Sequence, residues 1–430
     1  MDYRCIMNLE ESINEEIEEK QSIITSMIKK EKKDATLKNV YDTFSKYLHI
    51  TDFDRLDVIL ATVLSNELPG TPIWMFITGE SGDWKTTAVK GLKGWKNVKT
   101  LDKITPKTLA SGKNKVKDLG SELADTSTIL LFFDMATMSG IDKSAKAEIW
   151  TQFRNLYDGY IDYQTGSGVE RKYNNCHVTF LGCSTDSLKN EILLNAQLGT
   201  RELMYDTSAD VADNDAKMDA ALENEEYEQE MYDDIQESIH RFLRHHHVDR
   251  SIGVSSDIKS FIKKEAQRIT VLRANQATDY KHGELINRVR PEVPTRVVKQ
   301  LKRIYMCLKS LDKDYPDEKA RRIISHIVDS TGNEVRQRIM KMMQKKAEEW
   351  YTVEDIRHGI RIGRDAVKRQ MEMLWSMEVV DMRIEERNIG GWSYVDDFGV
   401  EQKRGGRWVE TCMYMLTPDW RIAKQVRLDV

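Results

Sequence analysis

Paired cysteines are missing from this chain. Its five, Cys5, Cys176, Cys183, Cys307 and Cys412, are scattered, odd in number and never spaced as CxxC. That pattern argues against a disulfide framework and a zinc module, and for a reducing, intracellular (cytoplasmic) setting. Long apolar runs are missing too. No stretch approaches the roughly 20 residues a membrane-spanning helix needs, and the first residues lack the apolar core of a secretion signal. The expectation is a soluble protein with no membrane partner. A basic excess is also absent: the net charge is −5, so any DNA contact has to come from local basic patches rather than from the overall field. What the chain does have is length, since 430 residues accommodate two or three domains with full cores.

The most informative stretch is Gly79-Glu80-Ser81-Gly82-Asp83-Trp84-Lys85-Thr86-Thr87, which follows an apolar, strand-like run from Ile73 to Thr78. Glycines let a chain turn so that backbone N–H groups face phosphate oxygens. In such a loop Lys85 reaches the β- and γ-phosphates of ATP and the Thr86 hydroxyl sits on Mg²⁺. The spacing of Gly79, Lys85 and Thr86 is that of a phosphate loop, but Trp84 stands where the second glycine belongs. A glycine-rich turn that binds no nucleotide is the competing reading.

Downstream, Thr128 to Phe133 is an unbroken β-prone apolar run, as in a central parallel strand covered on both faces, and it ends in Asp134. A carboxylate at a strand tip beside a phosphate loop can hold Mg²⁺ through water. Met135 follows where an acidic residue would orient the attacking water, which leaves the hydrolytic base unassigned. A third run, Val178 to Cys183, leads into Ser184 and Thr185. Their hydroxyls either sense a γ-phosphate or cap the next helix.

Charge and periodicity divide the rest. Residues 1–50 read as an N-terminal helical segment, with a stripe of Ile13, Ile17, Ile23, Ile24, Met27 and Ile28, and 51–207 as a strand-and-helix core with a doubly wound parallel sheet. Residues 208–311 read as an acidic, solvated insertion followed by a helical lid, and 312–333 as a linker. In 334–430 three helices are expected, over Glu334 to Trp350, Val353 to His358 and Gly363 to Met377, with Thr352 capping the second and Gly359 stopping it. Two strands, Val379 to Ile384 and Cys412 to Leu416, flank a polar excursion, which makes a winged helix-turn-helix pattern. Arg364, Lys368 and Arg369 fall on its recognition helix and Lys403, Arg404 and Arg407 in its wing. They either bind DNA or form a solvated face. His245-His-His247 reads as a helix-end cluster, because three adjacent residues cannot all face one ion.

Taken in order, these pieces resemble the AAA+ ATPases of phages and mobile elements related to the minichromosome maintenance helicases. The resemblance runs from about Tyr41 onward. It rests on Ile59-Leu-Ala-Thr-Val-Leu-Ser-Asn-Glu-Leu-Pro-Gly70, the phosphate loop, Phe132-Phe-Asp-Met-Ala-Thr137, Tyr157-Asp-Gly159, Leu198-Gly-Thr-Arg201 and Pro294-Thr-Arg296. It implies a P-loop AAA+ sheet with a helical lid, ATP and Mg²⁺ as cofactors, and a homo-oligomer in the form of a hexameric ring. It further implies that Arg201 reaches the γ-phosphate of a neighbouring subunit's ATP and that Arg296 is a second sensor. A surface salt bridge is the alternative for each. A β-hairpin around Thr165 to Gly168 matches one that lines the helicase pore, where Arg171 and Lys172 would bind phosphate and Tyr163 would stack on a base. A plain surface hairpin is the alternative there.

Two functions stand at this point. One is an ATP-driven, ring-forming DNA helicase or translocase serving replication of a virus, plasmid or mobile element, favoured by the hairpin and Arg201. The other is an ATP-switched DNA-binding initiator or regulator with weak hydrolysis, favoured by Met135.

Overall fold

The computed structural model describes residues 31–80, 82–111, 117–164, 168–185, 201–207, 214–275, 288–389, 392–395, 401–404 and 407–420. At 136, 139, 387–389, 392–395, 401–404 and 407–409 it describes backbone without side chains. The N-terminal isoleucine stripe, Ser81, the hairpin tip 165–167 and the run 198–200 lie outside the described residues.

In chain order the first elements are α1 (Leu37–Tyr47), α2 (Asp54–Leu64), β1 (Trp74–Thr78), α3 (Lys85–Lys90), β2 (Val98–Leu101) and β3 (Ser127–Phe132). Next come α4 (Lys143–Tyr157), β4 (Ile161–Gln164), β5 (Glu170–Tyr173), β6 (His177–Ser184) and β7 (Leu203–Asp206). Five helices follow: α5 (Asn214–Glu223), α6 (Glu228–His245), α7 (Ser256–Arg273), α8 (Thr295–Lys309) and α9 (Asp317–Thr331). The remaining elements are α10 (Glu334–Lys345), β8 (Tyr351–Thr352), α11 (Val353–Ile360), α12 (Arg364–Ser376), β9 (Val380–Ile389), β10 (Trp392–Val395), β11 (Glu401–Arg404) and β12 (Arg407–Leu416).

The described residues form two compact units. The first takes in 31–185, 201–258 and 299–326, the second 259–298 and 327–420. This differs from the division expected from sequence, because amphipathic faces find cover far along the chain. Helix α1 buries Leu37, Val40, Phe44 and Tyr47 and so belongs with the sheet unit. The segment 312–333 contains α9, whose Ala320, Ile323, Ile324, Ile327 and Val328 are buried, so it is a packed helix and not a linker. The acidic stretch divides as its pattern dictates: α5 buries nothing, whereas α6 buries Met231, Ile235, Ile239, Phe242 and Leu243 along one face.

The first unit is mixed α/β. Its five-stranded sheet has the order β2-β3-β6-β1-β7, and every neighbouring pair is parallel. All five residues of β1 are buried, as a strand covered on both faces requires. Trp74 at its start is fully buried, meets Phe153, Tyr157 and Phe180 at centroid distances of 5.5, 5.4 and 5.3 Å, and donates its Nε1–H to the Val178 carbonyl at 2.8 Å. Burying each such ring contributes about 1.5–3 kcal/mol, and the satisfied indole N–H avoids a desolvation penalty. The expected hairpin is present as antiparallel β4 and β5.

In the second unit α10, α11 and α12 are accompanied by an antiparallel sheet of order β8-β12-β9 and by a separate β10-β11 pair. Thr352 caps α11 in a reciprocal box with Asp355, as expected. Gly359 does not end that helix. It continues to Ile360 and stops at Arg361, which adopts the left-handed conformation (φ 56°) and donates its N–H to the Arg357 carbonyl at 2.9 Å. Arg336 of α10 is 1 % exposed and its guanidinium donates to the carbonyls of Val271 (2.5 Å) and Ala274 (2.7 Å) at the end of α7, and to Gln370 Oε1 of α12 (2.9 Å). Burial pulls that guanidinium down to about 9.

Candidate functional site

The loop between β1 and α3 takes a glycine-dependent path. Gly82 has φ +85°, a conformation that side chains rarely adopt, and a Cβ on Gly79 would sit 2.0 Å from Thr207 Oγ1. Thr207 in turn donates its N–H (2.8 Å) and its hydroxyl (3.0 Å) to the Thr78 carbonyl, which fixes the start of the loop. Lys85 opens α3, is 6 % exposed, and donates its ammonium to the carbonyl of Glu80, folding back over the loop. Thr86 and Thr87 are half-buried on the first turn of the helix, and Glu80 is exposed.

Strand register brings the other expected groups to the same edge. Thr78 pairs with Ser184, so the ends of β1 and β6 are level. Phe132 of β3 pairs with Gly182, and Asp134 and Ser184 each lie two residues further on. Adjacent strands are about 4.8 Å apart, so Thr78, Ser184 and Asp134 line one edge in that order. Thr78 and Ser184 are 0 % and 2 % exposed, and their hydroxyl oxygens have no hydrogen-bond partner among the described residues. Asp134 is exposed and Met135 is buried at 1 % exposure. Beneath them the Cys183 thiol approaches the Lys85 carbonyl at 3.6 Å, and burial pushes it up to about 12. The charges of Lys85 and Arg55 and a hydrogen bond with the Thr86 hydroxyl oppose that rise, and the charge of Asp134 adds to it.

Arg201 lies at the opposite edge. Leu203 of β7 pairs with Met75 and Asp206 with Thr78, so β7 runs parallel to β1 and Arg201 precedes its start. Its guanidinium pairs with Asp158 Oδ2 at 2.6 Å and lies 5.7 Å from the Tyr157 ring centre. Fully buried Gln300 holds this corner by donating to the Arg201 carbonyl (2.7 Å) and the Tyr157 hydroxyl (3.0 Å). A groove of about 880 Å³ opens beside Asp158 at this edge, with Ser127 and His177 at the starts of β3 and β6 in its wall. The structure thus unites Arg201 with Tyr157 and Asp158, two stretches that the sequence separates by some forty positions. Arg296 is half-buried on the first turn of α8 and falls in the second unit.

The remaining expected contacts separate into presented and retained side chains. On the hairpin, Lys172 is exposed and paired with Glu170 at 2.5 Å, and Tyr163 is half-buried. Arg171 is turned toward the body, donating to the Ser111 carbonyl (3.3 Å) and lying 3.8 Å from Asp118. On α12, Val367, Met371 and Leu374 face inward while Arg364, Lys368 and Arg369 are exposed. Arg364 pairs with Glu354 at 3.0 Å and Lys368 with Glu372 at 3.7 Å. Lys403, Arg404 and Arg407 are on β11 and β12, and their side chains lie outside the described residues. Exposed Trp375, 48 % accessible, shares α12 with these cations and was not singled out from sequence. His246 stacks on Phe242 and His247 bonds Glu67, so the histidine run serves a helix end.

Sequence reading also missed Arg55, Asp83 as its partner, Thr78, Asp158 and Gln300. Arg55 carried a signal: it is a cation inside Asp54–Leu64, a helix buried over its whole length, and a buried cation requires a partner.

No family model and no curated protein matches the chain. Among solved structures it is similar to the apo structure of the NrS-1 C-terminal region, at 14% identity over 73% of this chain and 71% of that chain, with a TM-score of 0.28.

Proposed function

We propose that this chain is an ATP-dependent DNA helicase or translocase of the AAA+ class, related to the minichromosome maintenance helicases and acting as a hexameric ring in replication of a virus, plasmid or mobile element. The observation that carries the reading is the placement of two cations at opposite edges of one parallel sheet. Lys85 follows the end of β1, whereas Arg201 stands five residues before Asp206, the partner of Thr78. At about 3.3 Å per residue that is about 17 Å along the strand, too far for one side chain to span. An arginine finger at Arg201 therefore serves a neighbour's nucleotide and not its own, which calls for a closed ring of head-to-tail contacts.

Mg²⁺-ATP fits the residues present. The loop's N–H groups and Lys85 suit the phosphates, Thr86 and Asp134 suit the metal, and the buried hydroxyls of Thr78 and Ser184 are left for phosphate oxygens or their water. Bound Mg²⁺ would neutralise charge on the β- and γ-phosphate oxygens. In the second unit α11 and α12, joined by the tight turn at Arg361, read with β9, β12 and the β10-β11 excursion as a winged helix-turn-helix, with α12 as the helix that enters a major groove.

The second reading, an ATP-switched initiator or regulator, is favoured by Met135. An apolar residue only 1 % exposed occupies the position from which an acid would orient water. Steady-state ATP turnover with and without DNA separates the two. DNA-stimulated turnover supports the motor, tight ATP binding with negligible turnover supports the switch, and no ATP binding overturns both.

A further inference from the structure

Trp84 occupies the place of the second loop glycine, and it is held. The guanidinium of Arg55 lies 4.1 Å from the centre of its ring, and Phe44 meets the ring edge-on at 5.8 Å. The same guanidinium pairs through Nη2 with Asp83 Oδ2 at 2.6 Å. Arg55 is 1 % exposed, on the first turn of the fully buried α2, so it cannot follow a mobile loop outward. Two consecutive loop residues are thus fastened to a single planar cation, one through its face and one through its edge. Arginine alone offers both contacts at once, because its fork is flat and carries several donors.

We propose that Arg55 is a positioning residue of the phosphate loop, doing with a buried stack and ion pair what the missing glycine does elsewhere through backbone freedom. Glycine would let the loop adopt its path but not hold it there. Tryptophan clamped by Arg55 restricts the path to the one in which Asp83 is turned inward and Lys85 begins α3. The guanidinium is held against the loop by Asp83 and Trp84, so its charge adds to the field that an anionic ligand meets there. The proposal rests on the nucleotide reading above and says which group outside the loop pre-organises it.

The experiment measures the equilibrium affinity of purified full chain for Mg²⁺-ATP by calorimetry, with circular-dichroism melting as the check on folding. Arg55→Met keeps length and apolar contact but loses the charge and the fork, and should weaken binding at least tenfold. Arg55→Lys should recover only part of it. In a Trp84→Gly background, where glycine stands again in the loop, Arg55→Met should weaken binding less than threefold. Equal losses in both backgrounds, or unaltered binding by a folded Arg55→Met chain, overturn the proposal. So does abolished binding in folded Trp84→Gly, because the glycine and the clamp would then not be alternatives. Should Arg55→Met not fold, the Arg55→Lys comparison in the two backgrounds decides in the same way. Failure of the parent chain to bind Mg²⁺-ATP overturns the nucleotide reading itself, whereas parent binding with an indifferent Arg55 overturns this inference alone.

Discussion

Asp158 and Arg201 form an ion pair of 2.6 Å at the edge where the sheet's strands begin, with the guanidinium 11 % exposed and the carboxylate 43 % exposed. On the ring reading proposed above, a neighbour's phosphate would have to compete with Asp158 for that arginine. The carboxylate is the more exposed partner, so on that reading it is Asp158 that gives way when a phosphate, a strong charge-assisted acceptor, arrives.

If Arg201 completes a neighbour's site, Arg201→Ala should fold, bind ATP and lose turnover by roughly 10³-fold. Mixing it with Lys85→Ala should restore part of the activity, because some interfaces then combine an intact loop with an intact arginine. No recovery, together with a monomeric mass in saturating ATP, would remove the ring.

Lys85→Ala should abolish ATP binding or turnover. Lys85 is 6 % exposed, its ammonium is already folded back on the loop, and each charge-assisted contact it makes to phosphate is worth about 1.5–3 kcal/mol. Asp134→Asn should instead spare most binding and stop hydrolysis, since it removes a charge that holds Mg²⁺. Normal affinity and turnover in the lysine variant would sink the ATPase reading.

Reversing Lys368 and Arg369 to Glu should weaken duplex binding and make its salt dependence shallower, by a slope of about 0.9 for each phosphate that the helix no longer neutralises. Both side chains are exposed on α12 while its opposite face is buried, so folding should be unaffected. An unchanged affinity and slope in a filter-binding titration would put DNA contact elsewhere.

Arg336→Leu should destabilise the second unit by on the order of 3 kcal/mol in chemical denaturation, because it strands the Val271 and Ala274 carbonyls and the Gln370 amide oxygen. A loss below about 0.5 kcal/mol would show that those acceptors find other donors.

Stability should fall as pH rises toward neutrality. Burial, then the charge of Asp52, raises the Asp54 carboxyl from 3.8 to about 7. Burial raises neighbouring Asp57 as well, against the opposing pull of Lys319, Tyr315 and Tyr41. Between those pH values the folded chain keeps a proton that the unfolded chain has released, so stability is lost as pH increases through the window. Melting temperatures of Asp54→Asn should vary less between about pH 5 and pH 7 than those of the parent. Identical slopes would mean that Arg322 and Lys319 neutralise the site.

Local pattern determined much of this protein by itself. The apolar runs ending in Thr78, Phe133 and Cys183 are strands of one parallel sheet, because only strands covered on both faces read as unbroken apolar runs. The loop Gly79 to Thr87 was legible because its glycines and lysine lie close together in sequence, and Thr352 as a cap because the box spans three residues. Only the tertiary structure decided what depends on distant partners. That Arg55 clamps Trp84, that Asp158 holds Arg201, that α9 is packed where a linker was expected, and that Arg171 turns inward to Asp118 each join segments with no shared local signal. A charged residue reads as solvated until the chain brings a partner to it. Once buried it must be paired, and where the partner lies is set by packing and strand register rather than by spacing.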